Sequence, residues 1–98
     1  MAKVIFTISY EIHPEKREEY LALMRQIKNY LKVVKGRDYS FYEIKGKKNN
    51  FSEVFQFPSL DEYNNLEDHD EQMTDFVGRL EPLILNGKMK YTTLIELE

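Results

Sequence analysis

The chain has no cysteine and no tryptophan, and only two histidines among its 98 residues. Without thiols there is no disulfide framework, no thiolate metal site and no cysteine nucleophile, so a reduced, cytoplasmic setting is the expectation. No apolar run approaches the roughly 18 residues that span a bilayer, so no membrane partner is expected. Met1-Ala2-Lys3-Val4 passes straight into a strand pattern and lacks the charged region and cleavage site of a signal peptide. The net charge of -3 is mild and mixed in sign, unlike the basic footprint of a nucleic-acid binder. Also missing are a Gly-rich phosphate loop, a nucleophile elbow and the spacing of a catalytic triad.

What is present is ordinary in bulk and unusual in detail. Hydrophobic residues at 42% and charged residues at 32% describe a single globular domain over residues 1–98, with disorder excluded. A chain of this size buries roughly 65% of its unfolded surface, enough for one modest core. Seven tyrosines and six phenylalanines exceed what such a core needs, so some rings are expected to line a cavity or a subunit interface.

The same unit occurs twice. Val4 to Ile12 alternates as a strand, with Val4, Phe6, Ile8, Tyr10 and Ile12 on one face and Ile5, Thr7, Ser9 and Glu11 on the other. Pro14 opens a helix whose early turns are acidic, and Tyr20, Leu23, Met24, Ile27, Tyr30, Leu31 and Val34 form its apolar stripe up to a stop at Gly36. Tyr39–Ile44 and Phe51–Phe57 read as a hairpin around a lysine-rich turn, whose cations are expected to solvate an exposed loop. After Pro58, Ser59 to Glu62 fits a capping box. Asn64-Asn65 are weak helix formers and Asp68 to Glu71 offers a second start, so this helix is expected to break. Asn86-Gly87 turns the chain into a last strand that alternates from Met89 to Leu97.

The order β-α-β-β-α-β predicts a ferredoxin-like α+β fold, a four-stranded antiparallel sheet in order 4-1-3-2 with helices on one face. In this reading the other face carries Thr7, Ser9, Phe55 and Phe57. Such a face needs cover, and pairing two sheets into a barrel supplies it, so a homodimer is expected.

Glu53 to Tyr63 resembles the strand-to-helix signature of the dimeric α+β barrel superfamily, which includes the antibiotic-biosynthesis-monooxygenase-like domains. The resemblance in layout covers the whole chain, whereas the motif itself is short. It implies a homodimer with a small, partly polar cavity in each subunit, and Phe57 stands where relatives often carry tryptophan. Haem degradation is disfavoured, because Phe76 and Ser9 stand near the positions where that branch uses a histidine ligand and an asparagine.

Two residues carry candidate acid–base chemistry. His69 interrupts the apolar stripe between Leu66 and Met73; it is either a general base or a packed histidine bonded to Asp70 or backbone. Glu53, beside phenylalanines, would have its pKa raised by desolvation, the alternative being a cross-strand pairing with a lysine. His13 is expected to cap or to be exposed. Asp68 to Glu71 points around a helix rather than converging, so no metal site is expected, and no other cofactor either. The leading reading is a small aromatic or hydrophobic ligand, oxidised without metal or flavin. His69 or Glu53 would act as base, Ser9 and Tyr10 as hydrogen-bond donors, and Phe55, Phe57 and Phe76 as walls. The other reading is a non-enzymatic ligand-sensing or stress-related dimer with a filled cavity.

Overall fold

Alternating β-branched and aromatic residues make β1 (Val4–Glu11) the strand around which the sheet assembles. In this computed structural model, which describes residues 2–65 and 70–97, β1 pairs antiparallel with β3 (Asn50–Phe57) on one side and β4 (Lys90–Ile95) on the other. The strand β2 (Asp38–Glu43) lies outside β3, giving the order β2-β3-β1-β4 that the sequence predicts. Three α-helices complete the fold among the described residues: α1 (Arg17–Asn29), α2 (Leu60–Asn64) and α3 (Glu71–Leu80). None of the helices among the described residues is long and apolar enough to cross a membrane.

Pro14 starts a single 3-10 turn that leads into α1, where Tyr20, Leu23, Met24 and Ile27 are buried against the sheet. The expected stripe stops earlier than its periodicity suggests. Tyr30–Val34 form a π-helical turn, and its wider winding rotates the stripe off the sheet. Leu31 stays buried, whereas Val33 and Val34 are 73% and 65% exposed. Gly36, at φ 65°, then takes the left-handed conformation that lets the chain turn back into β2.

The second helical segment does break. Ser59 accepts a hydrogen bond from the Glu62 N–H at the start of α2, and Asp70 accepts one from the Met73 N–H at the start of α3. Backbone bonds from Ile12 N–H to Asn49 and from His13 N–H to Leu83 tie the end of β1 to both the hairpin and the segment after α3.

The register corrects one expectation. Val4, Phe6, Ile8 and Tyr10 sit opposite Phe57, Phe55, Glu53 and Phe51, so all eight point toward the helices. Phe55 and Phe57 therefore do not share a face with Thr7 and Ser9. The helix-free face carries Ile5, Thr7 and Ser9 of β1, Ser52, Val54 and Gln56 of β3, and Thr92 and Leu94 of β4. Pairing in β1–β3 is set by hairpin and core together, and a one-residue difference in register reverses every side chain.

Candidate functional site

The inward face of β3 holds a carboxyl group in the buried part of the sheet. Glu53 lies between Phe51 and Phe55 on its strand, opposite Ile8 and Phe41 on the neighbouring ones, and is 4% exposed. A carboxylate in such a place needs donors for its lone pairs. The fold supplies them from two strands. The Tyr39 hydroxyl of β2 donates to Oε1 at 2.7 Å, and the Tyr10 hydroxyl of β1 donates to Oε2 at 2.9 Å. Since the Tyr10 hydrogen is directed to Glu53, the Tyr20 hydroxyl of α1, 2.9 Å from Tyr10 Oη, is the donor in that contact. Three hydroxyl hydrogens thus make three hydrogen bonds in a continuous Tyr20–Tyr10–Glu53–Tyr39 chain.

Burial raises the Glu53 pKa above the usual carboxylate range, and the bonds from Tyr39 and Tyr10 only partly offset it. Burial, reinforced by the nearby carboxylate, likewise pushes Tyr10, Tyr39 and Tyr20 above the ordinary phenol range. Raised carboxyl pKa is the expected direction for a group tuned toward acid–base work, although structural networks show it too. The expected lysine pairing is not what holds Glu53: phenols do.

Rings surround this chain. Tyr20 packs on Phe51 at 4.4 Å between centroids, and Tyr39 on Phe55 at 4.8 Å. Phe55 continues to Phe6, and Phe57 packs edge-on against Tyr63 of α2 at 5.4 Å. Phe55 and Phe57 also reach a surface depression of about 440 Å³, whose other walls are Lys35, Gly36, Arg37, Asp38, Gln56, Pro58 and Glu62. A path of contacting rings and hydroxyls therefore runs from this opening through Phe55 and Tyr39 to the buried carboxylate.

The residues singled out from the sequence divide accordingly. Glu53, Tyr10, Phe55 and Phe57 are brought to the inner face of the sheet. Ser9 is on the opposite face, where its Oγ bonds Ser52 Oγ. Phe76 is buried in α3 with its ring 5.8 Å from Tyr30. His69 lies outside the described residues, as does Asp68 of the acidic cluster. Tyr39 as a partner of Glu53 and Tyr20 as a partner of Tyr10 were not anticipated; the signal for them was the inward phase of each tyrosine on an element facing a buried acid.

A second ionic node orders the hairpin. Arg17 donates two bonds to Glu43, at 2.7 and 2.9 Å, and Glu43 also accepts from the Asn49 N–H at 2.8 Å. The Arg17 bonds, then the Asn49 N–H, bring the Glu43 carboxyl down to about 2.

Comparison with solved structures places this architecture in a populated group. A Caulobacter crescentus protein provisionally named an antibiotic biosynthesis monooxygenase superposes with a TM-score of 0.82 at 13% identity, over 99% of this chain and 92% of that one. SnoaB, a cofactor-independent oxygenase from Streptomyces nogalater, matches at TM-score 0.73 and 11% identity, over 94% and 90%. A NIPSNAP family protein from Agrobacterium tumefaciens matches at TM-score 0.67 and 20% identity, over 94% and 90%. No protein-family model matches the chain, and no curated protein does. The chain thus has the ferredoxin-like α+β fold of the antibiotic-biosynthesis-monooxygenase-like proteins, and at these identities the likeness extends to the fold alone.

Proposed function

We propose that this chain is a cytoplasmic homodimer that binds a small aromatic or hydrophobic molecule against Phe55 and Phe57 and oxidises it with O2, without metal or flavin. The observation that carries the reading is the contact of Phe55 with Tyr39, which joins the ring-lined opening to the hydrogen bonds on Glu53. A phenolic ligand there would lose its proton through Tyr39 toward Glu53, whose raised pKa suits it to accept one. One atom of O2 then enters the ring and the other leaves as water with the two displaced hydrogens, giving a quinone. Tyr10 holds Glu53, His69 is the second acid–base residue, and Phe76 completes the binding set, whereas Ser9 faces the other side of the sheet. That SnoaB is a cofactor-independent oxygenase on the same fold supports the reaction class by analogy.

One observation favours the other reading, a ligand-sensing dimer without chemistry: both Glu53 oxygens already accept bonds from tyrosines. Oxygen uptake with a panel of phenols separates the two. Turnover that falls about 100-fold in His69→Leu or Glu53→Gln, with ligand binding intact, is the expected result for a lost general base. Phenols that bind without any O2 consumption would leave the sensing role in its place.

A further inference from the structure

The opening lined by Phe55 and Phe57 is also charged, and its two cations are not equivalent. Lys35 is engaged: its Nζ is 3.5 Å from Asp70 Oδ2 and lies over the Tyr30 ring. Arg37 is different. It is half-buried, its backbone N–H is tied to the Leu31 carbonyl at 2.8 Å, and its guanidinium has no hydrogen-bond or ion-pair partner among the described residues. Asp38 and Glu62 line the same depression, yet neither pairs with it. A guanidinium is always charged and presents five donors in a planar fork matched to a carboxylate, so a half-buried one without a partner is primed for an anion.

Resting on the aromatic-binding reading above, we infer that the preferred ligand is a small aromatic carboxylate, its ring on Phe55 and Phe57 and its carboxylate on Arg37. The chemistry is complementary on both sides. Rings of this kind favour tilted or edge-on contact with a flat apolar ligand. A two-pronged bond from Arg37 would fix the orientation of that ring in a way that a neutral phenol cannot. The two carboxylates on the rim act against anions in general, so only an acid group placed at Arg37 gains from the site. Selection then comes from position rather than from net charge.

The test compares 2-naphthoate, 2-naphthol and 2-naphthylmethylamine by NMR titration of the native protein, following Phe55, Phe57 and the Arg37 side chain. The expected result is naphthoate binding about tenfold or more tighter than naphthol, the range for a charge-assisted hydrogen bond. Arg37→Gln should abolish that preference while leaving naphthol affinity unchanged, and Arg37→Lys should restore only part of it. Unchanged melting of both variants would show that the fold survives. Equal affinity for naphthoate and naphthol, or a preference indifferent to Arg37, would overturn the carboxylate inference while leaving the aromatic site standing. Tighter binding of the amine would overturn it in favour of Asp38 and Glu62. Binding of none of the three would overturn both readings.

Discussion

Proton counting makes Glu53 the most consequential residue in the core. Ionised, it matches three hydroxyl hydrogens to available acceptors. Removing it alone leaves two of the three hydroxyl hydrogens buried without acceptors, whereas removing the Tyr10 and Tyr39 hydroxyls with it leaves only that of Tyr20. Glu53→Leu is therefore expected to lower stability by about 2–4 kcal/mol. Adding Tyr10→Phe and Tyr39→Phe to it should recover about half of that loss, since the Tyr20 hydroxyl then stays without an acceptor. Urea melts of the single and triple variants check this, and a triple variant as unstable as the single one would show that the hydroxyls bond elsewhere.

Acid stability belongs to the residue scale as well, and two carboxyls act with opposite sign. Glu43 is held down to about 2 in the fold, so its contribution is present above the usual carboxylate pKa of about 4.3 and is lost as pH falls toward 2. Glu53 is raised, so its contribution is full below about 4.3 and is lost as pH rises through its elevated value. Glu43→Gln should flatten the acid limb of a plot of stability against pH, and the Glu53→Leu triple variant should flatten the upper limb. A steep acid limb surviving in Glu43→Gln would assign acid sensitivity to another group.

At the scale of elements, Asp70 ties the start of α3 to the turn that follows α1. Asp70 caps α3 through the Met73 N–H, accepts the Tyr30 hydroxyl at 2.9 and 2.8 Å on its two oxygens, and pairs with Lys35. Burial pushes its pKa up, but these partners outweigh burial and hold the carboxyl below its ordinary range. Asp70→Asn keeps an N-cap acceptor while losing the charge, so it should cost less than Asp70→Ala. Hydrogen exchange of the first-turn amides of α3 should quicken in the order wild type, Asn, Ala. Equal exchange in all three would deny Asp70 its capping role.

The elements themselves were largely legible because period-two and helical patterns are local. Ser59 and the run from Asp68 to Glu71 announced two helix starts, and the structure places caps at Ser59 and at Asp70 within that run. What escaped was set by relations between elements. The π turn at Tyr30–Val34 depends on docking rather than on composition, and the face shared by Phe55 and Phe57 depends on register with β1. Glu53 was legible as an inward acid, but its partner Tyr39, and Tyr20 behind Tyr10, come from other elements, β2 and α1. Arg37 had no signal at all until the fold set it among the walls of the opening that Phe55 and Phe57 reach.

For the whole molecule the open question of cover falls on the helix-free face. Ile5, Val54 and Leu94 make an apolar band across three strands, flanked by Thr7, Ser40 and Thr92. Leu94 is 54% exposed and Tyr42, at the β2 edge of the same face, 55%. The face is less aromatic than the sequence suggested, and the polar groups beside Val54 are small hydroxyls that tolerate a closely packed sheet, with Asp38, Gln56 and Lys90 elsewhere on the same face. A second copy stacked on it would enclose these residues, and a permanent interface of this kind buries well over about 1,000 Å². Light scattering of the native protein at micromolar concentration should then return twice the 11.8 kDa chain mass. Val54 sits at the middle of the band, opposite Thr7 and Ser40, so Val54→Lys would place a charge at the centre of the interface. That variant should run at the single-chain mass while keeping the near-ultraviolet circular dichroism of the Tyr10–Tyr20–Tyr39 core, which faces the other way. Native protein at the single-chain mass would sink the barrel, and a dimeric Val54→Lys would move the interface to another surface.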